Sequence, residues 1–172
     1  MAITPDTKDW TWVLCRRCEQ CGVEAALSSP STVPGEVEEA IGRWRAVLAR
    51  QDVRRRPDEQ TWSPLEYATH VSDVFELFTG RLALVLENDG PTFDDWDQDT
   101  AAVTGDYGRA TPATVADELA LRGERVAHAF QAVPEQQWER TGFRSDGAAF
   151  TVHTLAQYMI HDVLHHLHDV DG

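Results

Sequence analysis

The strongest constraint on this chain is helical. Apolar residues return at three- and four-residue intervals through four separate stretches, and start or stop signals frame most of them. The clearest start is Ser63-Pro64-Leu65-Glu66: a serine placed to cap, a proline at the first helical position, and a glutamate completing a capping box. The helix it opens carries Leu65, Val71, Val74, Phe75, Phe78, Leu82 and Val85, and Asn88-Asp89-Gly90-Pro91 stops it. An earlier helix is expected over residues 36–52 on Ile41, Trp44, Val47 and Leu48, with Glu36, Glu38 and Glu39 in its first turn. A third is expected from a Thr111 cap to Val133, and a fourth from Thr151 to Val170. Four long helices with almost no strand pattern predict an all-α four-helix bundle. Residues 89–110 read as a long acidic loop between helices 2 and 3, residues 134–140 as a short turn, and residues 142–147 as a tight loop or small hairpin. Residues 1–35 read as an N-terminal extension packed on a bundle domain of residues 36–172.

Charge then removes whole classes of function. The 29 acidic residues outnumber 15 basic ones, for a formal charge of −14. Nucleic-acid binding draws on cations that neutralise phosphates, so no nucleic-acid partner is expected, and an anionic membrane surface is disfavoured for the same reason. The one basic cluster, Arg54-Arg55-Arg56, reads as a solvated helix end. No apolar run is long enough to span a membrane, and residues 1–10 lack the apolar core of a secretory leader. Cys15, Cys18 and Cys21 are too few and too clustered for a disulfide framework, which points to the cytoplasm.

Five of the seven histidines lie between residues 153 and 168. His161 and His165 stand four apart, so on a helix their imidazoles share a face and can converge on one metal ion. The competing reading is an ordinary polar face. His166 is turned about 100° from His165 and is expected to face away. His168 lies two turns beyond His161 and His153 two turns before it, while His128 reads as structural or exposed. The zinc-protease pattern H-E-x-x-H is absent, because residue 162 is Asp and the spacing is one longer. A third ligand must come from another element. His70, among Tyr67, Val71 and Val74, is either that ligand or a satisfied core histidine.

The run Trp62-Ser63-Pro64-Leu65-Glu66-Tyr67-Ala68-Thr69-His70, followed far along the chain by His161-Asp162-Val163-Leu164-His165-His166, resembles the DinB/YfiT-like superfamily. The stretch Lys8-Asp9-Trp10-Thr11-Trp12-Val13-Leu14, and Trp96-Asp97-Gln98-Asp99 with Tyr107, resemble an actinobacterial subgroup of it. The resemblance implies a four-helix bundle with a three-histidine metal site, carried over onto His70, His161 and His165. It also implies enzymes that use low-molecular-weight thiols such as mycothiol, acting as S-transferases or isomerases, and bundles that pair into homodimers.

Three neutral imidazoles would leave a position open on the ion, zinc first and nickel second. Water or a thiol placed there loses its proton near neutral pH, and a thiolate is the nucleophile of sulfur transfer. The expected partners are therefore a small-molecule thiol and an electrophile. Glu66, Tyr158 and Asp162 are placed to hold the ligands' second nitrogens. In the acidic loop, Asp95, Asp97, Asp99 and Asp106 partly follow a calcium-loop template, but Thr100 replaces its glycine and Asp106 its bidentate glutamate. The loop is instead expected to cap the bundle beside the metal, with Asp97 or Asp99 near the substrate and Tyr158 as a further catalytic candidate. C-x-x-C-x-x-C at Cys15, Cys18 and Cys21 lacks a nearby fourth ligand and reads as reduced, partly packed thiols, with a Cys18–Cys21 redox pair or an intermolecular zinc site as the alternatives. The alternative to an enzyme is a non-catalytic metal-binding stress-response or interaction module.

Overall fold

The computed structural model describes residue 3 and residues 9–172; Lys8 and most of the stretch read as lacking a leader lie outside them. Among the described residues five α-helices form: α1 (Val33–Leu48), α2 (Pro64–Glu87), α3 (Gln98–Thr104), α4 (Pro112–Gln131) and α5 (Val152–Asp169). The four long ones make the bundle. α2 begins as its sequence dictates: Ser63 Oγ accepts the Glu66 N–H, and the Glu66 carboxylate accepts the Ser63 N–H at 2.8 Å. α5 starts on a similar reciprocal cap between Thr151 and Thr154. α1 departs from expectation at both ends. It starts at Val33, because Pro34 fits the first turn, where no backbone donor is needed, and it leaves only Glu36 in that turn.

Packing sets an unusual connectivity. α1 lies against α4 and α5, and α2 also lies against α4 and α5, so α1 and α2 stand on one diagonal of the bundle and α4 and α5 on the other. Trp44, Phe75, Leu119, Phe130, Leu155 and Met159 fill the interior and are almost wholly buried. The α2–α5 contact matters most here, since it sets His70 against the histidine-rich helix.

The expected acidic loop is more structured than its composition suggests. It holds β1 (Thr92–Phe93) and α3, whose cap is Asp97: its carboxylate accepts the Thr100 N–H at 2.9 Å and the Thr100 hydroxyl at 2.6 Å. The small hairpin forms as β2 (Thr141–Arg144) and β3 (Ala149–Thr151), antiparallel, with Gly142 opposite Phe150; β1 joins β2 in parallel, Thr92 opposite Phe143. Glycine is required at 142, where a Cβ would stand 2.6 Å from Val85 Cγ2.

Two short 3-10 turns of the N-terminal segment, Thr11–Leu14 and Ala25–Leu27, rest on α5. His153 Nε2 and Gln157 Nε2 both bond the Ser28 carbonyl, at 2.9 and 3.0 Å, which gives His153 an anchoring role. None of the described helices is long and apolar enough to cross a membrane.

Candidate functional site

α5 presents two pairs of potential ligands, each four residues apart and offset by one residue: His161 with His165, and Asp162 with His166. The offset turns the pairs about 100° from one another, so they face different neighbours. α2 lies on the 162/166 side. The structure accordingly divides the three histidines expected around one ion. His70 groups with Asp162 and His166, while His161 and His165 group with Cys18 and Cys21; within each group the ligand atoms all lie within 4.8 Å of one another. His166 does not face away, as the sequence suggested; its ring stands 4.9 Å from that of His70.

His70 is wholly buried, stacked on Trp96 with ring centres 5.1 Å apart and packed on Trp62 at 5.4 Å. Its Nε2 stands 3.5 Å from Asp162 Oδ1, and His166 Nε2 stands 3.9 Å from the same oxygen. Both His70 nitrogens and Asp162 Oδ1 are buried without a hydrogen-bond partner. Each such orphan costs about 1–3 kcal/mol. A cation among these atoms would satisfy His70 Nε2 and Asp162 Oδ1 together, and nitrogen–oxygen edges around a four-coordinate zinc are about 3.3 Å from ordinary bond lengths. The donor set and spacing therefore fit a divalent ion.

Protonation favours the same reading. Burial holds the His70 imidazole below its ordinary range, against the pull of Asp162. Burial raises the Asp162 carboxyl, but His166, His70 and His161 outweigh it and bring it to about 2. At neutral pH the pair is thus an imidazole with a free lone pair beside a carboxylate, as metal ligation requires. His166 is oriented from behind, with its Nδ1 2.9 Å from Asp169 Oδ2. The other oxygen of that carboxylate lies 3.8 Å from His165 Nε2, so one side chain touches a ring of each cluster. Asp169 was not singled out from the sequence, although its spacing of three and four from His166 and His165 carries the signal.

In the other cluster, burial lowers His161 to about 4, with His165 beside it adding to the effect, and burial lowers His165 as well. Burial raises the Cys21 thiol to about 11. Cys18 is buried, Cys15 exposed, and all three cysteines are free thiols.

A cavity of about 680 Å³ opens over α5, and His161, Asp162, His165 and His166 line it. The acidic segment forms its rim as expected, with Trp96, Asp97 and Asp99 on the wall, although Asp97 also caps α3. Tyr158 lines it too, its hydroxyl pushed up by burial against the lowering effect of Arg144. Among the described residues Arg144 is the lone cation on the wall, held by Asp146 at 2.7 and 3.0 Å. Of the other expected residues, Glu66 does not reach His70: it caps α2 and pairs with Arg56. His168 and His128 are exposed and belong to neither cluster.

The structure of YfiT from Bacillus subtilis, described as a probable metal-dependent hydrolase with an unusual four-helix bundle topology, matches with a TM-score of 0.72. The identity is 18%, over 81% of this chain and 82% of that one, a likeness of fold. No curated protein matches the sequence. Residues 36–170, nearly the whole bundle, match the sequence profile of the DinB superfamily, and the chain belongs to that superfamily.

Proposed function

We propose that this chain is a divalent-metal-dependent enzyme whose reaction centre is His70, Asp162 and His166, acting on a low-molecular-weight thiol of the mycothiol type as an S-transferase or isomerase. The observation that carries the reading is the set of buried, unpartnered ligand atoms on His70 and Asp162 beside the cavity. Two imidazoles and a carboxylate leave positions open on zinc or nickel, and an ion so held would give a thiol or water its anionic, nucleophilic form near neutral pH.

The chain's own residues supply the rest. Asp169 fixes the His166 ring, so that Nε2 points at Asp162 and His70. Trp62 and Trp96 enclose His70 and keep water from its ring. The cavity has the size of small-molecule sites. Among the described residues, five that line it, Asp95, Asp97, Asp99, Asp162 and Asp169, are acidic against the single Arg144, so a thiolate is best held beside the metal ligands, and neutral or cationic electrophiles are favoured. Tyr158 and Arg144 line the same cavity as Asp162 and His166 and are the residues assigned to proton transfer and to the leaving group.

Hydrolysis is the second reading, with water in place of the thiol. The open cavity admits it, and the description of YfiT supports it. The test is consumption of mycothiol with an electrophile such as monobromobimane by untagged protein. His70→Ala and His166→Ala should each lower the rate by about 100-fold, or about 2.7 kcal/mol in barrier. Equal rates in wild type and both variants reject catalysis at this centre. Electrophile loss at an unchanged rate without thiol selects hydrolysis, and bound metal without turnover selects the non-catalytic module. The three-histidine alternative His70, His161 and His165 would make His161→Ala as damaging as His70→Ala and spare His166→Ala.

A further inference from the structure

We propose that Cys18, Cys21, His161 and His165 form a separate, closed zinc site that fastens the N-terminal segment to α5. The four residues each offer one ligand atom, and these atoms lie within 4.8 Å of one another. Cys18 Sγ is 3.8 Å from His165 Nδ1, and Cys21 Sγ is 3.8 Å from His161 Nε2. In a tetrahedral zinc centre, with zinc–sulfur bonds of about 2.3 Å and zinc–nitrogen bonds of about 2.0 Å, the sulfur–nitrogen edge is about 3.6 Å. Small side-chain movements would close the polyhedron.

The backbone around the cysteines has the form such a site needs. The Cys18 carbonyl accepts the Gly22 N–H at 2.9 Å, and the Cys18 N–H donates to the Val23 carbonyl at 2.8 Å. This tight turn points both sulfurs the same way. Gly22 holds a φ of +75°, in the left-handed region that other residues avoid. C-x-x-C on a turn and H-x-x-x-H on a helix are the spacings of structural zinc ligands. The rings are covered as well: Trp10 lies 5.0 Å from His165 and 5.7 Å from His161. Asp169, 3.8 Å from His165 Nε2, supplies the carboxylate that zinc-bound histidines commonly face.

Chemistry separates this centre from the one on His70. Four protein ligands leave no position for substrate, so its role is to hold structure. Loading breaks two S–H bonds, forms two zinc–thiolate and two zinc–imidazole bonds, releases two protons to solvent, and changes no oxidation state. The two thiolates cancel the charge of the ion. The ligands that complete the cysteine pair lie on the last helix, far from it along the chain.

The experiment uses the full, untagged chain purified under reducing conditions. Elemental analysis should give about two zinc ions per chain, and Cys18→Ser/Cys21→Ser should lose about one of them. The cobalt-substituted wild type should show thiolate-to-cobalt charge-transfer absorption. His70→Ala/His166→Ala should keep that absorption while losing the other equivalent, so the two proposals fail separately. A measurement on the unaltered chain guards against a variant that does not fold: an alkylating reagent should modify Cys15 alone until a chelator is added, and then all three cysteines. Absence of the charge-transfer band in the cobalt protein, equal reactivity of all three thiols before chelation, or a Cys18–Cys21 disulfide in freshly reduced protein would overturn the site.

Discussion

Asp169 is the side chain whose loss should be felt at both centres. One of its oxygens is 2.9 Å from His166 Nδ1, and the other is 3.8 Å from His165 Nε2. The first distance is a hydrogen bond to an ionised acceptor, worth about 1.5–3 kcal/mol. The second is a Coulombic contact without a bond, and worth less. Carboxylates that orient a ligand histidine change metal affinity by about 10–100-fold when replaced, or about 1.4–2.7 kcal/mol. Asp169→Ala should therefore weaken zinc at the His166 centre by about 10–100-fold and at the cysteine centre by less than about 10-fold. Competition with a chromophoric chelator resolves the two affinities once each centre is isolated by Cys18→Ser/Cys21→Ser or by His70→Ala/His166→Ala. Unchanged affinity at both centres, or a larger loss at the cysteine centre, would refute the reasoning.

Glu66 should govern part of the acid stability of the bundle. Burial raises its carboxyl, but Arg56 and the Ser63 N–H and hydroxyl outweigh this and hold it below its ordinary 4.5. A depressed carboxylate contributes stability that is complete above pH 4.5 and is lost as pH falls through the folded value. Glu66→Gln should lower stability at pH 7 by about 1–3 kcal/mol and flatten the slope below pH 4.5, as read by urea denaturation across pH. Gly142→Ala would drive a methyl group to 2.6 Å from Val85 Cγ2, in a strand paired on both sides. It should cost about 1–3 kcal/mol, visible as a lower thermal midpoint, and a neutral result would contradict the tight packing at that crossing.

The elements written in local chemistry were legible in the sequence. The Ser63-Pro64-Leu65-Glu66 start of α2 needed only four neighbouring residues and forms as read. The turn-rich stretch 142–147 marked the β2–β3 hairpin as one of two readings, whereas β1 was invisible, since it is two residues long and owes its pairing to β2. α3 was masked by an acidic composition that suggested a loop, although Asp97 and Thr100 carried its capping signal. At the site, residue spacing alone puts two adjacent pairs on α5, but the rotation of α5 against α2 decides which pair meets His70. That rotation follows from how Leu155, Met159, Val163 and Leu167 seat in the core, a collective outcome of all four helices. The cysteine turn needed partners more than a hundred residues away, which a reading of its neighbourhood could not supply.

In this reading α5 serves two metal centres on adjacent faces. The most direct test is a crystal structure of untagged, zinc-loaded protein with anomalous scattering recorded at the zinc edge. The expected map has two peaks, one enclosed by Cys18, Cys21, His161 and His165, and one among His70, Asp162 and His166. A single peak shared by His70, His161 and His165, or no peak at either cluster, would contradict it.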